Sequence, residues 1–146
     1  MSNQNCKNPL LLDDKLCFAL YATSRAITKR YSIPLEKLGV TYPQYLSLLV
    51  LWEKDGITVQ GLASRLEIEG ATATPIVQRL EKLGLVDRKR GVDDERRVYI
   101  FLTQKGMNLK SDALEVPHAI GCALDINEQS AAEMIEQLYK LRTTII

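Results

Sequence analysis

The stretch TVQGLASRLEIEGATATPIVQRLEKLG, residues 58–84, decides the fold. Its first part predicts a short helix with apolar side chains on one face. Glu67–Ala71 predicts a glycine-containing turn, and Thr72 or Thr74 then begins a second helix with Pro75 in its first turn. Two short helices joined by such a turn are typical of a helix-turn-helix.

The chain after this stretch predicts a β-hairpin. Leu85–Val86 and Val98–Leu102 have the composition of strands, and the segment between them, Asp87–Arg97, is mostly charged and forms the predicted tip. A hairpin that directly follows a helix-turn-helix is a wing. The predicted fold class is therefore mainly α with a small β-hairpin, a winged helix-turn-helix.

Helices are predicted before and after this winged part. One spans residue 13 to about residue 31 and ends before Pro34, and another runs from the Thr41 cap, with Gln44 three residues later, through Trp52.

After the hairpin, a helix from Thr103 to about Glu115 is interrupted by Pro117. Asn127 then caps a final helix that runs through Leu141.

We interpret the 146 residues as a single domain with two parts. Residues from about 41 to 103 form the winged DNA-binding region. Residues of about 13–40 and 104–146 form helical extensions whose apolar side chains, such as Leu138 and Ile145, need a partner surface. We expect that surface to be a second copy of the chain.

Composition and charge set the class of protein. Apolar residues make up 46% and charged residues 25% of the chain, which is ordinary for a globular domain. The formal charge of +1 points to no particular partner. The longest apolar stretch, Tyr45–Trp52, is far shorter than the about 20 residues of a membrane span, and the polar N-terminus has no signal pattern. We therefore expect a soluble, cytoplasmic protein that does not enter a membrane.

The cysteine and histidine content argues against several kinds of catalytic site. Cys6, Cys17 and Cys122 are widely spaced, and His118 is the only histidine. This set does not fit a structural zinc site, no nucleophile motif surrounds His118, and the chain has no phosphate-binding glycine motif. We predict no metal, no cofactor and no enzymatic activity. By pattern alone, the cysteines are typical of inert core thiols more than of redox-active ones.

The helix-turn-helix and the wing together favour binding to double-stranded DNA. The second helix carries side chains that read base edges or hold phosphates in a major groove: Thr72, Thr74, Gln78 and Arg79. The hairpin adds cations that can follow the backbone or enter a minor groove: Arg88, Lys89, Arg90, Arg96 and Arg97. Acidic neighbours nearly cancel these positive charges, so the hairpin taken alone is typical of a solvated charged loop. Its position directly after the helix-turn-helix is what favours DNA binding.

Several short segments carry a resemblance to a known family. Asp94-x-Arg96 followed by Leu102-Thr103 is similar to the wing signature of the MarR family of bacterial regulators, which adds Asp94 to the candidate DNA-binding residues. More specific segments resemble the organic hydroperoxide resistance regulators of that family: Leu16–Ala22 (LCFALYA), Thr41–Leu46 (TYPQYL), Leu49–Glu53, Thr74–Pro75 and Arg79–Glu81. The resemblance covers roughly residues 12–146.

The resemblance implies a homodimeric repressor that binds a pseudo-palindromic operator and senses organic hydroperoxides. It implies that Cys17 is the peroxidatic cysteine and that Cys122 of the other subunit resolves its sulfenic acid into a disulfide, with release of DNA. It also implies that Tyr31 and Tyr42 of the partner subunit, with Tyr21 one helical turn from Cys17, surround the thiolate. The first turns of a helix favour a thiolate, which agrees with the predicted position of Cys17.

Other interpretations remain open at this point. A MarR-type repressor released by a small phenolic or drug-like ligand shares every feature except Cys17. A cysteine peroxidase could use Cys17 and Cys122 but has no use for a wing, and a winged helix could serve protein contacts alone. Cys6 matches no family motif. Glu69 and Ala71 depart from the segment that the family usually has before the second helix, which leaves the operator preference open.

Overall fold

The computed structural model describes residues 9–146, in which helices predominate. After a 3-10 turn at Leu12–Asp14, the elements follow in the order α1 (Leu16–Arg30), α2 (Ser32–Leu38), α3 (Tyr42–Glu53), β1 (Ile57–Thr58), α4 (Val59–Leu66), α5 (Gly70–Lys82), β2 (Val86–Arg90), β3 (Val98–Leu102), α6 (Gln104–Ala113), α7 (Glu115–Leu124) and α8 (Glu128–Ile145). The predicted fold class, a winged helix-turn-helix with helical extensions, is confirmed.

Side-chain caps begin several of these helices. At α3, Thr41 Oγ1 accepts from the backbone N–H of Gln44, and the Gln44 side-chain oxygen accepts from the N–H of Thr41 at 2.9 Å. Thr58, Thr103 and Asn127 each accept one backbone N–H at the start of α4, α6 and α8. The predicted starts of these helices are confirmed.

Two prolines lie inside the first turn of a helix instead of ending one. Pro34 is the third residue of α2, which follows α1 directly, and Pro117 is the third residue of α7, so the break after α6 falls at Leu114. A proline in a first turn lacks only an N–H that has no acceptor within the helix. Each proline therefore marks a new helix.

The predicted start of α5 is wrong. The helix begins at Gly70 instead of Thr72 or Thr74, because the N–H of Thr72 already bonds to the Glu69 carbonyl at 2.9 Å. Pro75 consequently lies in the second turn, where it removes one hydrogen bond of the helix.

The wing is a three-stranded antiparallel sheet with β3 in the centre. The two-residue strand β1 was not predicted from the sequence; it pairs Ile57 with Ile100. Strand β2 pairs with β3 along its whole length, so residues 87–90 belong to the strand and the tip comprises residues 91–97 alone. The predicted tip was too long because the pairing with β3 outweighs the low strand preference of charged side chains.

The core lies where α3, α4 and α5 meet the sheet. Its most deeply buried side chains are Leu48, Leu51, Leu62, Val77, Leu80, Val86 and Ile100. The indole N–H of Trp52 donates to the Gly106 carbonyl at 3.0 Å and ties α3 to α6.

Neither α1 nor α8 contains a buried residue, and α8 runs to Ile145, beyond the predicted end at Leu141. Within residues 9–146, no helix is long and apolar enough to cross a membrane.

Candidate nucleic-acid interface and cysteine sites

Helix α5 has one face in the core and one face in solvent. Ala73, Val77 and Leu80, spaced three and four residues apart, are fully buried, because this spacing puts them on one side of the helix. The opposite side exposes three of the predicted DNA contacts, Thr72, Gln78 and Arg79. Thr74 is the exception among the four, since it is half-buried and its hydroxyl donates to the Gly70 carbonyl at 3.0 Å.

A groove of about 760 Å³ separates the helix-turn-helix from the wing. The starts of α4 and α5 line one side, including Gly61 and Thr74, and the wing lines the other side through Arg88, Arg96 and Arg97. Backbone N–H groups at the start of a helix and arginine side chains both favour phosphate oxygens. The groove can therefore receive a strand of a nucleic-acid backbone.

The wing cations differ in their surroundings. The side chain of Arg88 is two-thirds buried and its Nε lies 2.8 Å from Oε2 of Glu81. Glu81 lies on α5, the second helix of the helix-turn-helix, which we call the recognition helix, so this ion pair joins the wing to α5. Lys89 lies over the Phe101 ring, with its nitrogen 5.2 Å from the ring centroid. Arg90 and Arg97 form no ion pair with any residue of the described chain.

Asp94 shapes the tip of the wing. Its carboxylate accepts from the backbone N–H of Arg96 at 3.0 Å, and its carbonyl accepts from the N–H of Arg97 at 3.0 Å. The N–H of Gly91 donates to the Arg97 carbonyl at 2.8 Å and closes the tip. These bonds fix the backbone of the tip, so Asp94 belongs to the framework of the wing.

The two described cysteines are exposed free thiols. Cys17 is the second residue of α1, and Cys122 lies near the end of α7, a helix that packs against α1. The sulfur of Cys17 thus lies in the first turn of a helix, near backbone N–H groups that have no acceptor within the helix. Cys6 lies outside the described residues.

Three tyrosine rings, Tyr31, Tyr42 and Tyr45, pack together where α1, α2 and α3 meet; we call them the tyrosine cluster. The ring centroid of Tyr31 lies 4.7 Å from that of Tyr42 and 5.9 Å from that of Tyr45. Burial raises the pKa of all three phenols, and the charge of an ionised Tyr42 raises the pKa of Tyr31 and Tyr45 further. The cluster is therefore protonated at neutral pH, and its hydroxyls can donate hydrogen bonds.

The structure does not bring Cys17 to the tyrosine cluster of its own chain. Cys17 lies in the first turn of α1 and Tyr31 directly follows its last residue, so a helix rise of about 1.5 Å per residue sets them about 20 Å apart. Tyr21, the third predicted tyrosine, is exposed on α1 and accepts from Arg25 at 3.4 Å. Tyr45 was not among the predicted site residues, although its spacing of three residues from Tyr42 could have indicated a shared helix face.

The helical extensions expose a continuous apolar surface. A groove between α1 and α8 is lined by Leu20, Ile135, Leu138, Tyr139, Leu141, Arg142 and Ile145. Ile135 and Ile145 are 53% and 73% exposed. Isolated chains rarely leave such a surface open to water. At its end, Arg142 forms an ion pair with Glu67, the left-handed residue that ends α4.

The recognition helix, the arginine-bearing wing and the groove between them define a winged helix-turn-helix transcriptional regulator that binds DNA. Residues 29–113 match the protein family described as transcriptional regulator SarA/Rot. The chain is 41% identical over 145 residues to the organic hydroperoxide resistance transcriptional regulator of Bacillus subtilis (strain 168), a match that covers 97% of each chain. The chain belongs to the MarR family, in its organic hydroperoxide resistance regulator branch, which confirms the resemblance seen in the sequence.

Solved structures of a relative, AbfR of Staphylococcus epidermidis, have the same fold. Reduced AbfR bound to DNA is 32% identical to this chain and superposes with a TM-score of 0.77, covering 92% of this chain and 94% of AbfR. Disulfide-formed AbfR, at 34% identity, superposes with a TM-score of 0.62, covering 92% and 89%.

Proposed function

We propose that this protein is a dimeric DNA-binding repressor that senses organic hydroperoxides through Cys17. Oxidation of Cys17 is followed by a disulfide with Cys122 of the partner subunit and by release of DNA. The observation that carries the proposal is an exposed free thiol at the second residue of α1, in a chain of this regulator branch.

The chemistry begins with the Cys17 thiolate. Its sulfur attacks one oxygen of the hydroperoxide, the O–O bond breaks, and the sulfur is oxidised to a sulfenic acid while the peroxide leaves as an alcohol after taking up a proton. The thiol of Cys122 of the partner subunit then attacks the sulfenic sulfur. This step forms the disulfide and releases water. Cellular thiols restore the reduced protein.

A second subunit supplies the tyrosines in this mechanism. If α1 packs antiparallel against its copy about a twofold axis near Ser24, Cys17 faces Tyr31 of the partner subunit. The phenol can then donate a hydrogen bond to the leaving oxygen, and Tyr42 of the partner subunit lies against the same ring. The apolar residues Leu16 and Phe18 beside Cys17 favour organic peroxides over hydrogen peroxide.

The apolar groove between α1 and α8 supports the dimer. A second copy that covers Leu138 and Ile145 removes apolar surface from water, and each Å² so buried contributes about 25 cal/mol. In this dimer the two α5 helices enter successive major grooves about one DNA turn apart, on a pseudo-palindromic operator. The exposed residues of α5 contact base edges, and Arg97 contacts the backbone.

Release of DNA requires a new arrangement of the two winged regions. The chain superposes better on reduced, DNA-bound AbfR than on disulfide-formed AbfR, with TM-scores of 0.77 and 0.62. A disulfide between α1 of one subunit and α7 of the other pulls on the helical extensions and rotates the winged regions as rigid bodies. The rotation changes the spacing of the recognition helices.

The test uses full-length protein carrying Cys6→Ser, together with DNA selected from a random pool by the reduced dimer. One equivalent of cumene hydroperoxide should produce an intersubunit Cys17–Cys122 crosslink on non-reducing gels and in peptide mass spectra, and should release the DNA. Cys17→Ser should bind DNA as tightly and keep it after peroxide treatment. An unmodified Cys17, or a Cys17→Ser protein that still releases DNA, contradicts the proposal and leaves a ligand-responsive regulator.

A further inference from the structure

Tyr45 is the most deeply buried member of the tyrosine cluster. It is the fourth residue of α3 and lies one helical turn after Tyr42 on the same face. Its side chain is 4% exposed, whereas Tyr31 and Tyr42 are half-buried. A ring this deep has its position fixed by the surrounding core.

The Tyr45 ring restricts where the Tyr31 ring can lie. Tyr31 contacts both neighbouring rings, with interplanar angles of 52° to Tyr42 and 41° to Tyr45, the tilted arrangement that aromatic pairs prefer. Its backbone is held as well, since the N–H of Tyr31 donates to the Thr28 carbonyl at 3.1 Å. With its backbone held and two rings packed against it, the Tyr31 side chain has few rotamers left.

The hydroxyls of the tyrosine cluster are available to a second molecule. None of the three has a hydrogen-bond partner within residues 9–146, and no side-chain oxygen shut off from solvent lacks a partner there, so the three hydroxyl oxygens reach the solvent. The ionised form of one phenol raises the pKa of its neighbours, so the three oxygens lie within electrostatic reach of each other.

We infer that Tyr45 is a positioning residue for peroxide reduction: its ring holds the Tyr31 ring so that the Tyr31 hydroxyl meets the peroxide at Cys17 of the partner subunit. The inference rests on the proposed function. In this role Tyr45 acts through its ring and not through its hydroxyl, because the observed contact with Tyr31 is between rings. Tyr31 donates to the oxygen that leaves as alcohol, and Tyr45 takes no part in the transfer itself.

The test measures the rate at which cumene hydroperoxide consumes the Cys17 thiol in full-length protein carrying Cys6→Ser and Cys122→Ser. Tyr31→Phe should slow this reaction about tenfold or more, since a positioned proton donor commonly contributes a factor of about 10² or above. Tyr45→Met, which fills the space without a rigid ring, should also slow it about tenfold. Tyr45→Phe should stay within about twofold of the parent.

Two further measurements separate positioning from general structural damage. The Tyr31→Phe/Tyr45→Met double variant should react no more slowly than Tyr31→Phe alone, because residues that act as a unit are not additive. Alkylation of Cys17 by iodoacetamide breaks no O–O bond and needs no Tyr31 hydroxyl, so its rate should be equal in all variants.

Several outcomes overturn the inference. They are a parent-like rate for Tyr45→Met, fully additive losses in the double variant, a parallel fall in alkylation, and a Tyr45→Phe rate as slow as that of Tyr31→Phe. The last outcome is decisive even if Tyr45→Met fails to fold. A parent protein whose Cys17 ignores the peroxide refutes the proposed function instead, which keeps the two failures distinct.

Discussion

The winged region and the two outer helices, α1 and α8, differ in how much of their surface the chain itself buries. Helix α3 in the winged region buries six of its twelve residues, whereas α1 with fifteen and α8 with eighteen bury none. The winged region is therefore complete within one chain. Helices α1 and α8 expose apolar side chains, which a second copy covers in the proposed dimer. The other helices of the extensions, α2, α6 and α7, bury Leu35, Ala113, Val116 and Ile120 within the chain.

The largest effect is expected in the winged core. Leu48→Ala removes a fully buried side chain and should lower the free energy of unfolding by about 2–5 kcal/mol. Because the lost contacts lie within one chain, the loss should be the same at low and high protein concentration, as measured by urea denaturation. If the decrease in the free energy of unfolding disappeared on dilution, Leu48 would belong to an interface between chains, and the contrast between the winged region and the outer helices would be wrong.

A charged side chain in the apolar groove between α1 and α8 should weaken dimer formation and leave the fold of the winged region unchanged. Leu138→Asp, at a position 41% exposed in the single chain, places a carboxylate where the second copy packs in the proposed dimer. We expect the dimer dissociation constant to rise at least about thirtyfold, roughly 2 kcal/mol, because the charge must lose its water. Sedimentation velocity measures this. Val92→Asp, at the fully exposed wing tip, is the matched control and should leave the dimer intact.

A single wing arginine should have a smaller effect, limited to DNA. Arg97→Ala removes one cation of the groove and should weaken operator binding several-fold, with the slope of log affinity against log salt reduced by about 1 for each subunit that contacts DNA. Fluorescence anisotropy at several salt concentrations measures both quantities. Lys140→Ala on α8 removes the same charge outside the groove, and an equal change in this variant would show a general charge effect.

The smallest effect is expected at the joint between α5 and β2. Glu81→Gln breaks a partly exposed ion pair with Arg88 and should lower the free energy of unfolding by about 0.2–1 kcal/mol. Operator affinity should fall more at low salt than at high salt, since the wing loses its fixed angle to the recognition helix. An unchanged affinity at low salt would show that Arg88 contributes nothing to wing orientation.

The fold could be predicted wherever a local signal decided the structure. Thr41 and Gln44 form a capping box across three residues, and Asn127 accepts from the N–H three positions later, so both are readable from the chain itself. The start of α5 was missed because Glu69 makes no side-chain cap. Strand β1 was missed because its two residues are defined by pairing with β3, more than forty residues away.

The sequence was sufficient to name candidate residues of the site, but not to name the contacts that these residues make with each other. The position of the wing in the sequence indicated Arg97, and the family resemblance indicated Cys17 and Tyr31. It could not indicate that Glu81 holds Arg88, or that Tyr45 packs against Tyr31, because these contacts depend on how separate elements meet. Contacts within one helix follow a spacing of three or four residues that a single sequence shows, whereas contacts between separate elements have no such spacing.

The ion pair between Arg142 and Glu67 connects α8 to the turn between α4 and α5, so a tilt of α8 is transmitted to the helix-turn-helix. The helix spans eighteen residues, about 27 Å at 1.5 Å per residue, and near its far end it touches the turn that leads into the recognition helix. Tilting such a rod by about 10° about its start moves its end by about 5 Å, which exceeds the 3.4 Å rise of one base pair. In the proposed mechanism, a displacement of one bond length at the Cys17 sulfur is amplified along this helix into a loss of register on DNA.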